Sequence, residues 1–147
     1  MKRITPIIIM CIIFVVIAAG CGTKKVDLKL ASKHKPLPDY VLNSSQKVKD
    51  TYLMAAKFPD VVGAVPCYCG CAADGHKSNL NCYVQKMGAN HAVEEWDQHG
   101  ISCDVCVDIT NDAVQMHLDG KSNKEIYDLI VKKYEDVGEP TPTPEPK

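Results

Sequence analysis

Between Ser44 and Tyr134 the apolar positions recur at helical spacing, and three stretches carry the signal. Val48, Tyr52, Ala55 and Ala56 share a face behind the candidate caps Ser44 and Ser45. Pro59 closes that stretch, because the residue before a proline is driven out of the helical region. Val105, Ile109, Ala113 and Met116 form a second stripe, capped by Ser102 and ended at Gly120, where a left-handed residue is wanted. Ser122-Asn-Lys-Glu125 spells a capping box ahead of Ile126, Leu129, Ile130 and Tyr134. These last two stretches predict a helical hairpin turning at Gly120. Val93 and Trp96, three apart within Asn90 to His99, suggest a further short helix, and no run alternates convincingly enough for a strand. The expected fold is all-α: a small helical domain over residues 44–137 with a cysteine-rich loop and a C-terminal helical hairpin.

The flanks read differently. Residues 22–43 hold Lys24, Lys25, Lys29, Lys33, Lys35, Pro36 and Pro38 without a lasting period, which predicts a disordered spacer. Residues 138–147 alternate proline with polar residues and predict an extended, unpacked tail. Neither segment is expected to carry chemistry. At the other end, Met1-Lys-Arg, an apolar run from Ile7 to Ile17 and then Ala18-Ala-Gly-Cys21 have the three regions of an export signal over residues 1–20. The run falls short of the roughly 20 residues that cross a bilayer, which disfavours an uncleaved anchor helix. Small residues ending at a cysteine resemble the bacterial lipobox, and that resemblance implies a diacylglycerol on the Cys21 sulfur with palmitate-type acyl chains. Two such chains give stable anchoring where one is marginal. Residues 21–43 then become a lipidated tether, and the domain sits outside the cytoplasm on the membrane.

Composition narrows the function classes. Of 147 residues, 46% are hydrophobic and 24% charged, so the chain is globular and, once the signal is removed, has room for one domain. Basic residues number 17 against 18 acidic, which excludes a nucleic-acid footprint. The charge is uneven: Ser44 to Val137 holds 9 Lys and 14 Asp or Glu, whereas Gly22 to Asn43 holds five Lys and two Asp. The domain should attract cations, and the tether a negative membrane surface.

Cysteine carries the chemical signal. Cys11 lies in the discarded segment and Cys21 is spoken for, leaving Cys67, Cys69, Cys71, Cys82, Cys103 and Cys106. In Pro66-Cys-Tyr-Cys-Gly-Cys71 the thiols alternate, so a locally extended backbone points all three the same way. A disulfide within Cys-x-Cys closes a very small ring, whereas a soft metal accepts neighbouring thiolates. Asp74, Gly75, His76 and Cys82 follow closely, so one loop can offer four sulfurs and an imidazole. Cys103 and Cys106 share a face at a helix start, where the N-terminus favours the thiolate; the pair can bind metal or cycle as a disulfide. Val107 stands where a c-type haem motif needs His. His117 lies about 16 Å along the helix from Cys106 and reads as ordinary surface, as do His91 and His99 around Trp96, while Met116 reads as core. Tyr68 either shields the thiols or exposes its ring. Three structural disulfides, with 15 possible pairings, remain an alternative to metal.

Two resemblances add to this. The string Pro66-Cys-Tyr-Cys-Gly-Cys71, with Gly75-His76-Lys-Ser and Cys82 behind it and the Cys103/Cys106 pair beyond, resembles the bacterial lipoprotein family named for the PCYCGC motif, whose function is undefined. Cys103-x-x-Cys106, Met116-x3-Gly120-Lys-Ser122-x2-Glu125-Ile126 and Tyr134 are similar to the cytochrome c maturation protein CcmH. That likeness implies thiol reduction by Cys103 and Cys106 on a small helical bundle, although Ile101-Ser102 stands where CcmH has Leu-Arg.

The reading is thus a surface-anchored helical lipoprotein that binds a thiophilic metal for sequestration, sensing or delivery. Copper(I) comes first, because clustered thiolates suit a soft monovalent ion, and zinc(II) second, because mixed Cys/His sites suit it. The expected ligands are Cys67, Cys69, Cys71 and Cys82, with His76 as ligand or neighbour and Cys103 and Cys106 completing the site or standing beside it. A metal-handling or redox protein is the expected partner. The alternatives are a thiol–disulfide oxidoreductase using Cys103 and Cys106, and a disulfide-stabilised interaction module. No hydrolytic triad, phosphate loop or catalytic carboxylate pair marks any other enzyme.

Overall fold

A cap, a buried face and a stop define each long helix in the computed structural model, which describes residues 26–147. The export segment and the Cys21 lipidation expected from the sequence fall outside the described residues. Helix α1 (Asp39–Leu42) is a single turn, α2 spans Gln46–Lys57 and α3 spans Pro59–Val62. A hairpin of β1 (Val84–Met87) and β2 (Val93–Trp96) follows, then α4 (Asp104–Leu118) and α5 (Asn123–Tyr134). Short 3-10 turns at Cys71–Asp74, Asn79–Cys82, Ala89–His91 and His99–Ile101 fill the connections.

Local chemistry explains the helices. The Ser45 hydroxyl accepts from the Val48 amide at 3.3 Å and starts α2, which buries Thr51, Tyr52, Ala55 and Ala56. Phe58 leaves the helical region ahead of Pro59, and Pro59 opens α3 where a missing N–H costs nothing. At α5 the reciprocal box forms as the sequence suggests: the Glu125 amide donates to Ser122 Oγ at 3.3 Å and the Ser122 amide to Glu125 Oε2 at 2.8 Å. Gly120, with φ 92, ends α4. The cap of α4 differs from expectation: it is Cys103 rather than Ser102, its sulfur accepting from the Cys106 amide at 3.4 Å. Leu129 also leaves the expected stripe and stays 40% exposed.

The all-α expectation is overturned. About half of the described residues are helical, and β1 and β2 form an antiparallel sheet, so the fold is mixed. The stretch expected to be a short helix is β2. Val84 pairs with Trp96, Lys86 with Glu95 and Met87 with Val93, so each strand carries one extra residue. These bulges break the alternation and turn both Val93 and Trp96 inward, three apart, which imitates a helical face.

Where described, from residue 26 and through residues 138–147, the flanks pack, unlike the expected spacer and free tail. The Lys35 amide donates to Val93 O at 2.9 Å, and Trp96 Nε1 to the carbonyls of Lys35 and Pro36 at 3.2 and 3.0 Å. The proline-rich end is extended but not unpacked, since Thr141 and Thr143 are buried. It crosses at Gly138, where a Cβ would meet the Tyr68 carbonyl at 2.8 Å. Among the described residues no helix is long and apolar enough to cross a membrane.

Helix α4 lies between α2 and α5, and two apolar clusters flank it. Tyr68, Ile109, Ala113, Ile126, Ile130 and Tyr134 fill one. Tyr52, Tyr83, Trp96 and the cysteines fill the other, with the Tyr52 ring edge-on to Tyr83 at 5.1 Å.

Candidate metal centre

Three chain segments deliver the sulfurs. The motif run enters after α3 with a period of two, so Tyr68 turns into the α4–α5 core against Tyr134 while Cys67 and Cys69 turn to the other side. Tyr68 is therefore a packing residue, 4% exposed. Gly70, with φ 83, then bends the chain so that Cys71 rejoins its neighbours. Cys82 arrives from the 3-10 turn ahead of β1, and Cys103 and Cys106 from the start of α4.

Cys106 is the hub. Its sulfur lies 3.0 Å from Cys103, 3.1 Å from Cys82, 3.2 Å from Cys67 and 3.4 Å from Cys69. Cys67 is also 3.1 Å from Cys69 and 3.6 Å from Cys82. The sulfurs of Cys67, Cys69, Cys71, Cys82 and Cys106 all fall within 4.8 Å of one another, and four of these five residues are buried. Cys103 stands at the edge, half-buried. Cys69 and Cys71 are joined as a disulfide, the small ring that spacing disfavours, and Cys67, Cys82, Cys103 and Cys106 are free thiols.

Protons are shared unequally among the four thiols. Hydrogen bonds from the Cys106 and Cys82 thiols, and then from backbone amides, hold Cys67 far below the usual thiol value. The Cys106 thiol and the helix-start amides lower Cys103 to about 7. Cys106 is pushed up because the surrounding sulfurs of Cys103, Cys67 and Cys82 favour its protonated, donating form. Cys82 is also raised: its proton serves Cys67 and burial adds to this, although the Cys106 hydrogen bond pulls the other way. The lowered thiols, Cys67 and Cys103, thus stand against the raised ones, Cys82 and Cys106, and a cation bound here would compete with the protons of the cluster.

Surrounding groups fix this arrangement. Asn79 donates to the Cys106 carbonyl at 3.2 Å and to Thr110 Oγ1 at 2.6 Å, and Thr110 donates to the Tyr83 hydroxyl at 3.1 Å. The Cys67 amide donates to Thr141 Oγ1 at 2.9 Å, and the Thr141 amide returns to the Cys67 carbonyl at 2.8 Å. Four sulfurs around one ion at about 2.3 Å stand about 3.8 Å apart, so sulfurs now 3.0 to 3.6 Å apart need to spread by up to about 0.8 Å to admit one. A cysteine cluster that could hold a metal ion is present.

His76 stands beside the sulfurs as a neighbour. Its Nδ1 lies 3.6 Å from Cys82 Sγ, yet it groups with Asp97 and His99 rather than with the sulfurs. His99, expected as plain surface, is half-buried and bonded through Nδ1 to Asp97 Oδ1 at 2.7 Å. His117 is exposed, edge-on to Phe58, and His91 is exposed near Asp60. Asp97 and Thr141 went unnoticed in the sequence; the Asp97-x-His99 spacing was the available signal for the first, and nothing in a Thr-Pro repeat marks the second.

A family model described as a protein of unknown function with PCYCGC motif matches residues 10–146. The chain belongs to this family. The matched range contains every sulfur of the cluster, so the PCYCGC string is one edge of a centre completed by Cys82, Cys103 and Cys106. Nothing in the match relates the C-terminal hairpin to CcmH. No curated protein and no solved structure matches the chain.

Proposed function

We propose that this PCYCGC family protein binds a thiophilic metal ion at its sulfur cluster, copper(I) in preference to zinc(II), for sequestration, sensing or delivery at the membrane surface. The observation that carries the reading is the convergence of five sulfurs within 4.8 Å in a buried setting, with a sixth 3.0 Å from the hub. Sulfur alone suits a soft monovalent ion. A mixed Cys/His zinc shell has less support, because His76 faces its own oxygen and nitrogen neighbours. Lipidation at Cys21 would hold the domain outside the cytoplasm, with a metal-handling protein as partner.

The test is Cu(I) titration of the full chain, reduced and anaerobic, against a competing chromophoric chelator, with thiols counted before and after. The reading expects tight Cu(I) uptake, protection of the thiols, and loss of most bound copper in Cys69→Ser. Chains that hold no copper although all six thiols from Cys67 to Cys106 are free, or copper content unchanged by that substitution, would refute it.

A second reading rests on the disulfide. The Cys69 sulfur lies 3.1 Å from Cys67 and 3.4 Å from Cys106, within reach of attack. Attack by the Cys67 thiolate would form Cys67–Cys69 and release the Cys71 thiolate, with no net oxidation. An extracytoplasmic oxidoreductase would then need Cys103 as the outer thiol, and Cys103→Ser and Cys106→Ser should trap different mixed disulfides with a small dithiol. Identical products would dismiss it.

A further inference from the structure

Beside the sulfur cluster lies a group of different chemistry. The chain leaves the 3-10 turn Cys71–Asp74 through Gly75, whose φ of 86 brings Asp74 and His76 to the same cavity of about 190 Å³. Asp97 and Asn81 line its other walls. His76 is 7% exposed, and its ring stands edge-on to His99 at 4.6 Å. Asp97 is itself held in place: its carbonyl accepts from the Tyr52 hydroxyl at 2.7 Å and its amide donates to Tyr83 O at 2.8 Å. Its Oδ1 accepts from the His99 amide at 2.8 Å and bonds His99 Nδ1 at 2.7 Å.

This last contact fixes the imidazole. With Nδ1 carrying the proton toward a carboxylate, the lone pair sits on Nε2, the arrangement in which metal-binding histidines are commonly held. His99 Nε2 faces Asp74 Oδ2 at 3.5 Å. Two ligands at about 2.1 Å from a tetrahedral ion stand about 3.4 Å apart, so this separation is that of two groups sharing one cation. His76, Asp97 and His99 each offer a ligand atom within 4.8 Å of the others, and Asp74, outside that group, joins through its 3.5 Å contact with His99 and the cavity it lines with His76. Two imidazoles and the Asp74 carboxylate as ligands, with the Asp97 carboxylate behind His99, match a divalent ion in charge, and nitrogen and oxygen donors select borderline metals over soft monovalent ones.

We propose that His76, His99 and Asp74, oriented by Asp97, form a second metal site for a borderline divalent cation of the zinc class. It is separate in chemistry from the sulfur cluster and meets it at the His76–Cys82 contact. The chain then carries two adjoining sites of opposite preference, one for soft and one for borderline ions.

The experiment loads the reduced full chain with Ag(I), which occupies sulfur and is spectroscopically silent, and then titrates Co(II). The site expects one further equivalent of Co(II), with weak visible ligand-field bands and without the near-ultraviolet sulfur-to-cobalt band. His99→Ala, and independently Asp74→Ala at an exposed carboxylate that the fold does not need, should each weaken Co(II) binding about tenfold or more. Retained Ag(I) stoichiometry shows that the variants are folded. Absence of Co(II) uptake, a sulfur-to-cobalt band, or binding unchanged in both variants would overturn the proposal. Failure to retain Ag(I) would instead count against the sulfur reading. In that case Co(II) bound without a sulfur band, and lost in the two variants, still supports the second site.

Discussion

Cys106→Ala removes the sulfur that touches four others, and its two effects separate by size. The site is fully buried, so the fold loses one well-packed heavy atom, which costs about 1–2 kcal/mol and lowers Tm by roughly 4–8 °C in a domain of this length. The effect on metal is larger. Even groups that only support a ligand change affinity 10–100-fold when removed, so deleting a sulfur placed among four others should weaken Cu(I) by more than about 100-fold, or about 2.7 kcal/mol. Cys103→Ala is the internal control, since Cys103 lies outside the compact group of five and touches the cluster through Cys106. The assay is Cu(I) competition on each variant together with thermal unfolding of the metal-free form. A Cys106→Ala chain with wild-type Cu(I) affinity, or one less impaired than Cys103→Ala, would refute the geometry on which the reading depends.

Three further outcomes follow from the same contacts. Thr141→Val leaves the buried Cys67 amide without its acceptor and should cost about 1–3 kcal/mol, read as a Tm fall of roughly 4–12 °C and faster hydrogen exchange at Cys67. Cys103, held at about 7 and half-buried, should be alkylated first among the four thiols, with a rate that rises through neutral pH; peptide mass spectrometry after limited iodoacetamide treatment reads the order. Metal-free protein should lose stability in alkali. Burial raises Tyr52 and Tyr83, and shared protons raise Cys106 and, with burial, Cys82. Groups raised in the folded state contribute fully below the unfolded values, about 8.5 for thiols and 10 for phenols, and that contribution is lost as pH climbs beyond them. Tm measured from pH 8 to 11 should therefore fall, and a flat profile would contradict the burial of these groups.

What was legible in the sequence was local. The box Ser122 to Glu125 and the break at Phe58-Pro59 are decided within one helical turn, and both formed as expected. The hairpin was illegible because its bulges place Val93 and Trp96 inward at helical spacing. The flanks were illegible because the residues they bury are largely polar: His34, Thr141 and Thr143 pair with backbone, and no hydrophobic count registers that. The PCYCGC thiols could be grouped from spacing alone. That Cys106 would become the hub depends on how the start of α4 docks under the motif, through Asn79 reaching its carbonyl, and no spacing encodes this. The all-α expectation failed for the same reason that His99 was missed: contacts between distant segments outweighed the local pattern.

These supports bear on what a metal bound at the cluster would do for the chain. In a small zinc finger the ligands have no partner but the ion, so binding and folding are one event. Here the sulfurs are already gathered by protein contacts: Thr141 holds the Cys67 backbone from the tail, Asn79 holds Cys106, and α4 presents Cys103 and Cys106 from its first turn. Tyr52, Tyr83 and Trp96 pack the same core without needing an ion. Removing metal with a chelator should therefore leave far-ultraviolet circular dichroism unchanged and lower Tm by an amount that grows with free metal concentration, as binding to the folded state alone requires. Cooperative unfolding on chelation would mean that the ion is a structural staple. Retention of the fold when a bound ion is removed is the behaviour that a carrier requires and a staple does not.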